Sequence, residues 1–493
     1  MSQHSKTHTE LISSLHNSSR NNNGSPKQYL VVLLILMLLY GCAAPGQIED
    51  QGSNVASTLV DISLLDIDRA YDVVEELSQS KYDGRLSGTP ENLRAAEYIA
   101  SEFERIGLVS PKGIEEYYQY FDHKNTVMKT GSSFDFISMD DETEVALIPH
   151  VDVRDMVRFS GTLASGQRIG EMVHVTSMDD FDTFPQALGG KILLINHEVY
   201  DPYNPDRLLR KAMQLTPKPT GIFIHQENKY NEYFLVSKYL PAEIQTSEFD
   251  NENGPGVFYL TGEAFTKCLD AIRDGKRMQY SIDYEYSMFT VPNIVGYKPA
   301  TSAEPAGTIL FGAHFDHVGT NGDGTYNPGA LDNASGVAAI LEIARVLTQS
   351  ELDHDYNYAF IAFNGEEEFL FGSNHYVNHP LFPLDETTFL NFDMVGSSRP
   401  IPLNINVNNF ALGDTQDTLI ETSKSLGISA VKDFGGTSDN VPFESSGVDS
   451  VLLIHLDMSD IHTRLDTADN VDPERLGDVI KLVLQWLNET KVN

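Results

Sequence analysis

In the C-terminal part of this 493-residue chain one pattern recurs: a short, largely apolar run, then a histidine or a carboxylate. The runs are Thr308–Gly312, Tyr358–Phe363, Phe389–Phe392 and Val451–Ile454. Runs this short with no polar alternation read as strands covered on both faces, the texture of a parallel sheet. Between and after them lie the helix-like stretches Gly336–Thr348, Thr415–Leu426 and Pro473–Thr490. That alternation argues for an α/β fold on a parallel sheet. In such a sheet, sites form where strands end at their carboxyl edge. His314, Asp332, Glu367, Asp393 and His462 therefore converge on one edge, His462 by way of a short loop after Ile454.

Two imidazoles and three carboxylates suit a pair of zinc ions, and carboxylate-rich sites also accept manganese or cobalt. His314 and Asp316 share a side in extended chain, so Asp316 can accept a hydrogen bond from the imidazole and fix its orientation. Asp332 sits just ahead of a helix, where capping is the alternative task for an aspartate. Asn333 and Ser335 can cap instead, which frees Asp332 for a metal. Glu366-Glu367-Glu368 follows a buried strand, where clustered acids are costly unless solvated or compensated. A dication compensates them, and adjacent carboxylates can divide the work, one ligating and its neighbour carrying protons. An exposed acidic turn is the bland alternative. Asp393 closes an otherwise apolar strand.

Composition narrows the partners. The 71 Asp+Glu against 34 Lys+Arg, a formal charge of −37, repel nucleic acid and anionic lipid. At 41% hydrophobic residues the chain is not of the disordered class. Its two cysteines, Cys42 and Cys268, do not form a disulfide framework. Cys42 follows the apolar stretch Tyr29–Tyr40, too short to span a bilayer but suited to a signal-peptide core. Lys27 precedes the stretch, and Leu39-Tyr40-Gly41-Cys42 resembles a bacterial lipobox although Tyr40 replaces the usual small residue. Residues 1–42 are thus expected to be a lipoprotein-type signal peptide, with an acyl anchor on Cys42. An uncleaved signal anchor is the alternative. Ala43 after the cysteine resembles outer-membrane sorting, which places the protein in the cell envelope, facing periplasm or exterior.

Residues 43–60 read as a tether. Helix-like stretches follow at Asp66–Leu77 and Glu91–Gly107, separated by the loop Gly84-Arg85-Leu86-Ser87-Gly88-Thr89-Pro90. From 142 to 286 short β-like runs dominate: Met172–Val175, Lys191–Ile195, Gly221–His225 and Gly256–Leu260, with a helix at Gly262–Arg273. No cluster of ligand types falls there, and the texture is that of a separate inserted domain.

The five blocks together resemble the co-catalytic di-zinc metallopeptidases that include bacterial leucyl aminopeptidases and glutamate carboxypeptidases. The Gly84–Thr89 loop with its following helix is similar to that family's N-terminal signature, and Pro292-Asn293-Ile294-Val295-Gly296 to its first catalytic-sheet segment. Gly190–Leu194 and Gly256–Phe258 resemble a protease-associated domain. The resemblance implies a zinc-exopeptidase fold, phosphorylase/hydrolase-like: a central mixed, mostly parallel sheet flanked by helices, with an inserted mainly-β protease-associated domain. It implies peptidase segments at 61–141 and 287–493 around an insertion at 142–286. Carried onto this chain, Asp332 bridges two Zn2+, His314 and Asp393 complete one site, and Glu367 and His462 complete the other. Glu366 becomes the general base and Asp316 the partner of His314. A carboxylate has two oxygens and an imidazole one free lone pair, so Asp332 also suits the bridge on physical grounds. The segment Ser438–Phe443 departs from the family in carrying Asn440 where histidine is frequent, and Ile461 stands where a tyrosine often precedes the last histidine. The implied activity is a zinc-dependent exopeptidase acting on short peptides, foremost an aminopeptidase. A carboxypeptidase or dipeptidase of the same fold, a glutaminyl cyclase, and an inactive receptor-like protein are the alternatives.

Overall fold

The apolar runs alternate between two hydrophobic layers, which is why they contain no polar face. Ile309, Phe311 and Ala313 pack into one core, as do Tyr358, Phe360 and Ala362. Leu310, Ala359, Ile361, Phe363 and Phe389 pack into another. Successive side chains of a strand point to opposite faces, so a strand covered on both is apolar except where a polar group finds a partner, as Asn391 does in donating to Ser438. Phe311 stacks on Phe360 with ring centroids 5.1 Å apart, and each such fully buried ring contributes about 1.5–3 kcal/mol. The computed structural model describes residues 59–128, 133–149, 151–155, 166–196, 198–199, 205–225, 255–282, 284–321, 324–350, 353–409 and 412–490. The expected signal peptide, the lipobox cysteine Cys42 and nearly all of the tether lie outside the described residues.

The central sheet has eight strands: β1 (Tyr118–Met128), β2 (Tyr284–Lys298), β3 (Gly307–His314), β4 (Tyr356–Phe363), β5 (Thr387–Asp393), β6 (Leu403–Val407), β7 (Ala430–Phe434) and β8 (Asp449–Ile454). Their order is β1-β2-β4-β3-β5-β8-β6-β7. The neighbours β4, β3, β5 and β8 run parallel, with His314 opposite Phe363 and Asp393 opposite Ile454. The pairs β1–β2, β2–β4 and β8–β6 are antiparallel, so the sheet is mixed as expected. Because the four parallel strands are in register, their carboxyl ends share one edge.

Helices α1 (Ile67–Leu77), α2 (Pro90–Ile106), α3 (Ser335–Gln349), α4 (Thr415–Leu426) and α5 (Pro473–Thr490) contribute to the larger core. The short helices Phe371–Asn378 and Asn440–Ser445 supply Tyr376 and Phe443 to the smaller one. Helix α2 begins with Thr89 accepting a hydrogen bond from the Asn92 N–H and Pro90 in the first turn, and ends at Gly107 in the left-handed region. Helix α3 is enclosed nearly all round. Its one acid, Glu342, is fully buried, and it is paired with Arg69 at 2.9 Å and with Arg345.

A second eight-stranded sheet is formed by residues 133–282. Thr143–Leu147, Ser133–Ile137, Arg277–Ile282 and Gly166–Val175 pair antiparallel. Gly166–Val175, Ile192–Ile195, Gly221–His225 and Gly256–Leu260 pair in parallel, and Val153–Asp155 closes the edge antiparallel. It has hydrophobic clusters of its own, separate from those of the central sheet. This sheet starts earlier than the expected position 142, because Ser133–Ile137 pairs with Arg277–Ile282 across a long gap in sequence. It also carries helices, Pro205–Met213 and Gly262–Arg273 among them, and so is mixed α/β rather than mainly β.

Candidate metal centre and active site

All five expected ligands meet at the carboxyl edge of β3, β4, β5 and β8. His314 is the last residue of β3 and Asp393 the last of β5. The Nε2 of His314 lies 3.3 Å from Oδ1 of Asp332 and 3.4 Å from Oδ1 of Asp393. The Nε2 of His462 lies 3.1 Å from the other Asp332 oxygen and 2.9 Å from Oε2 of Glu367. Asp332 therefore turns one oxygen to each group. The donor atoms form two sets, His314–Asp332–Asp393 and His317–Asp332–Glu367–His462, each within 4.8 Å of one another. Nitrogen and carboxylate donors in sets of three and four match the chemistry of zinc sites. The His314 and Asp332 side chains are almost fully buried and that of His462 is 21% exposed, so the site opens on the His462 side.

Local structure explains why Asp332 is available. Asn333 accepts the Gly336 N–H at 2.9 Å, so it is the residue that caps α3. Its amide also donates to Phe392 O and its carbonyl oxygen accepts from the Met394 N–H, which ties the turn to β5. A Cβ at position 336 would lie 2.4 Å from both the Asn333 side chain and Phe392 O, so only glycine fits there. Asp466 grips the same turn: its two oxygens accept from the N–H groups of Leu331 and Asp332 at 2.9 and 3.0 Å.

Asp316 differs from expectation. Its carboxylate stands 3.8 Å from Nδ1 of His314, and the nearer partner of that nitrogen is the backbone carbonyl of Asp316 at 3.2 Å. The carboxylate instead accepts from the backbone N–H groups of Glu366 and Glu367 at 3.2 and 3.3 Å. The strand ends at His314, so the period-two alternation used to pair the side chains no longer holds two residues later. Asp316 holds the loop that carries Glu366 and Glu367. The same loop is held by Asn364, whose side-chain amide donates to Asn92 and whose backbone N–H donates to Asn293 Oδ1 at 3.1 Å.

Sequence reasoning missed four supporting residues. His317 is buried with Nδ1 2.9 Å from Oε1 of Glu367. It lies three residues after His314, on the opposite side in extended chain, so alternation hid it. Arg85 is completely buried, donating to the carbonyls of Leu77, Phe315, Pro328 and Gly329 at 2.6–2.8 Å. Its glycine-flanked position in the N-terminal loop was the signal available. Asp439 and Asp466 are buried acids in loops, whose roles depend on parts of the chain distant in sequence. Of the two departures from the family pattern, Asn440 donates to Glu444 at 2.8 Å and Ile461 belongs to the core.

The electrostatics are those of a concentrated anionic site. Burial raises the Glu366 carboxyl well above the usual range, and Asp393, Glu367 and Asp439 push it further. Burial likewise lifts Asp439 to about 7 and Asp466 to about 7, the latter against the two N–H groups it accepts. Asp316 is raised to about 6, again by burial first, with His314 opposing. Burial works against ionisation of Asp332, yet hydrogen bonds from His314 and His462 hold it well below the carboxylate range. His462, despite burial, is raised to about 9 by Glu367 and Asp332. So much negative charge in a low-dielectric setting favours multivalent cations at the same donors.

The sequence model of peptidase family M28 matches residues 293–487, which take in every donor of both sets. The match places residues 293–487 with peptidase family M28. Aminopeptidase YwaD of Bacillus subtilis is 34% identical over 243 residues, 46% of this chain and 49% of that protein. The probable lipoprotein aminopeptidase LpqL of Mycobacterium tuberculosis is 38% identical over 117 residues, 23% of this chain and 21% of that one. The chain thus spans about half the length of YwaD and less of LpqL. Among solved structures, BSAP, a zinc aminopeptidase from Bacillus subtilis, superposes with a TM-score of 0.61 at 23% identity, covering 86% of this chain and 95% of its own. An aminopeptidase from Aneurinibacillus sp. strain AM-1 gives 0.61 at 22%, covering 86% and 94%. The fold shared with these two structures therefore extends well beyond the matched segment, to most of the chain.

Proposed function

We propose that this chain is a zinc-dependent exopeptidase, and specifically an aminopeptidase, that holds two ions. The observation that carries the reading is the pair of donor sets sharing Asp332, with the Glu366 carboxylate beside them engaged by no hydrogen bond or ion pair among the described residues. His314, Asp332 and Asp393 would hold one ion; Asp332, Glu367 and His462 the other, with manganese or cobalt as substitutes. Such ions supply Lewis acidity toward the peptide carbonyl and lower the pKa of water. Glu366 takes the proton of the attacking water and returns it to the departing amine, the part of a general base and then a general acid. Asp316 keeps Glu366 in place through its backbone N–H.

Charge favours an amino-terminal specificity. Asp316, Asp332, Glu366, Glu367, Asp393, Asp439 and Asp466 crowd the site against one buried guanidinium, Arg85. The carboxylates beside the ions offer acceptors to a substrate ammonium. A carboxypeptidase needs a cation for that carboxylate. Of the arginines Arg399 and Arg464 that could take that part, Arg399 pairs with Asp457 and Asp460 at 3.3 and 3.0 Å and Arg464 is exposed. The glutaminyl cyclase and receptor-like readings draw no support from a complete donor set with a free base beside it.

The second sheet, on this reading, is a protease-associated insertion that limits access to short peptides. The apolar stretch before Cys42 and the lipoprotein relative support a lipid anchor in the cell envelope, facing periplasm or exterior. No helix among the described residues is long and apolar enough to cross a membrane.

The test is hydrolysis of aminoacyl chromogenic substrates and of acidic or carboxy-blocked dipeptides before and after chelation and zinc restoration. Aminopeptidase activity that zinc restores supports the reading. Glu366→Gln should keep both ions by elemental analysis while losing at least a thousandfold in kcat, within the range expected for a general base and its water. Near-native turnover by that variant would sink the assignment.

A further inference from the structure

His317 is a fully buried imidazole facing one donor set, and two roles are open to it. As a ligand it would use Nδ1 and keep its proton on Nε2. As a donor it would keep the proton on Nδ1 and point it at Oε1 of Glu367, 2.9 Å away. The surroundings of the ring choose between these. An imidazole on a metal normally gives its second N–H to a carbonyl or carboxylate. His314 fits that rule, with Nε2 toward the carboxylates and Nδ1 on the Asp316 carbonyl. His317 does not, because its Nε2 is buried with no hydrogen-bond partner among the described residues. A buried N–H left unpaired is costlier than an unpaired lone pair. The distances agree: Nδ1 is at hydrogen-bond range from Glu367 but 3.8 Å from the nearer oxygen of Asp332.

The ring is also fixed in place. A Cβ on Gly329 would come within 2.6 Å of its Cγ and Cδ2, so the absence of a side chain there makes room for the imidazole. Its backbone N–H donates to the carbonyl of Arg85 at 3.3 Å. Its ring meets that of His462 edge to face at 5.5 Å. On the far side of Glu367, Oε2 faces Nε2 of His462 at 2.9 Å.

We propose that His317 is a positioning residue: it donates from Nδ1 to Oε1 of Glu367 and thereby reserves Oε2 for the ion shared with His462 and Asp332. The inference rests on the metal reading above and deepens it. It makes the two sites unequal, since within this set only Glu367 has a dedicated imidazole donor behind its ligating oxygen. The ion at Glu367–His462 depends on His317, and the ion at His314–Asp393 does not.

The experiment is competition between the protein and a coloured chelator for Zn2+, with stoichiometry by elemental analysis, on the parent chain, His317→Leu and His317→Asn. The amide nitrogen of asparagine can occupy the place of Nδ1, whereas leucine offers no donor. His317→Leu should bind one of two ions ten- to hundredfold more weakly, the usual effect of losing a hydrogen bond to a ligand. The other ion should keep its affinity, which also reports that the variant is folded. His317→Asn should recover most of the loss, and its Co2+ absorption spectrum should match the parent's, because no ligand has changed. If Asn is as weak as Leu and the cobalt spectrum shifts, His317 is a ligand and the proposal falls. If both variants bind both ions like the parent, His317 has no part in the site. A parent chain that binds no ion overturns the metal reading itself, and this inference with it.

Discussion

Replacing Asp466 by asparagine changes one oxygen to an NH2 group and little else, which makes the cost traceable. The two oxygens of Asp466 accept from the N–H groups of Leu331 and Asp332 at 2.9 and 3.0 Å, in the turn that aims Asp332 at both donor sets. Asparagine can accept one of those bonds. Its other atom then presents a donor to a donor, leaving a buried N–H unpaired. A hydrogen bond to a charged acceptor contributes about 1.5–3 kcal/mol and an orphaned buried group costs a similar amount. Relaxation of the turn returns part of this, so a net of about 3 kcal/mol is expected at the position of Asp332. The metal-free turn relaxes to escape this cost and a bound ion must reverse that relaxation, so at 1.4 kcal/mol per tenfold metal affinity should fall by up to about a hundredfold. Since Asp332 faces both sets, both ions should weaken, unlike the single loss expected at His317. Chelator competition at fixed pH measures this directly, and a denaturant melt checks that the rest of the fold survives. An Asp466→Asn protein that binds both ions within about threefold of the parent would refute the claim that this carboxylate aims the shared ligand.

Arg85→Met should lower stability by about 3–5 kcal/mol, as removal of a buried charge partner generally does, because it strips four carbonyls of their donor. Arg85→Lys should recover little, since an ammonium cannot reproduce the planar fork; midpoints of denaturant unfolding check both. His455 is held neutral, chiefly by burial and then by Arg475, with a pKa lowered to about 4 from 6.5. The unfolded chain then binds the extra proton first, so stability is full above pH 6.5 and falls as the pH drops toward 4, by up to about 1.4 kcal/mol per unit. His455→Asn should flatten that slope in unfolding curves taken at pH 6.5 and 5. Cys42→Ser should abolish incorporation of radiolabelled palmitate and release the protein from the membrane fraction; labelling that persists would discount the lipobox.

Much of the fold was legible because its signal is local. Burial on both faces forces a strand to be largely apolar, and helix α2 announces itself through Thr89, Pro90 and Gly107. Residues 415–426 and 473–490 match their expected helices to the residue. Where pairing is long-range, locality failed: Ser133–Ile137 joins the second sheet through Arg277–Ile282, and nothing near residue 133 foretells that partner. The same division runs through the site. His314, Asp332, Glu367, Asp393 and His462 are identifiable as donors because polar ligand types after apolar runs are conspicuous. The residues that aim them are not conspicuous at all.

The sequence alone determined the donor chemistry, the order in which the donors arrive and the edge of the sheet to which they are delivered. These follow from strand periodicity and from the direction of parallel strands. Tertiary structure alone decided that Asp332 splits its oxygens between two sets, that Asp316 holds a loop rather than an imidazole, that His317 faces Glu367, and that Arg85 and Asp466 hold the turns around Asp332. A hydrogen bond depends on a few tenths of an ångström and on the angle at its atoms, and those are fixed only when loops from distant parts of the chain have closed on one another.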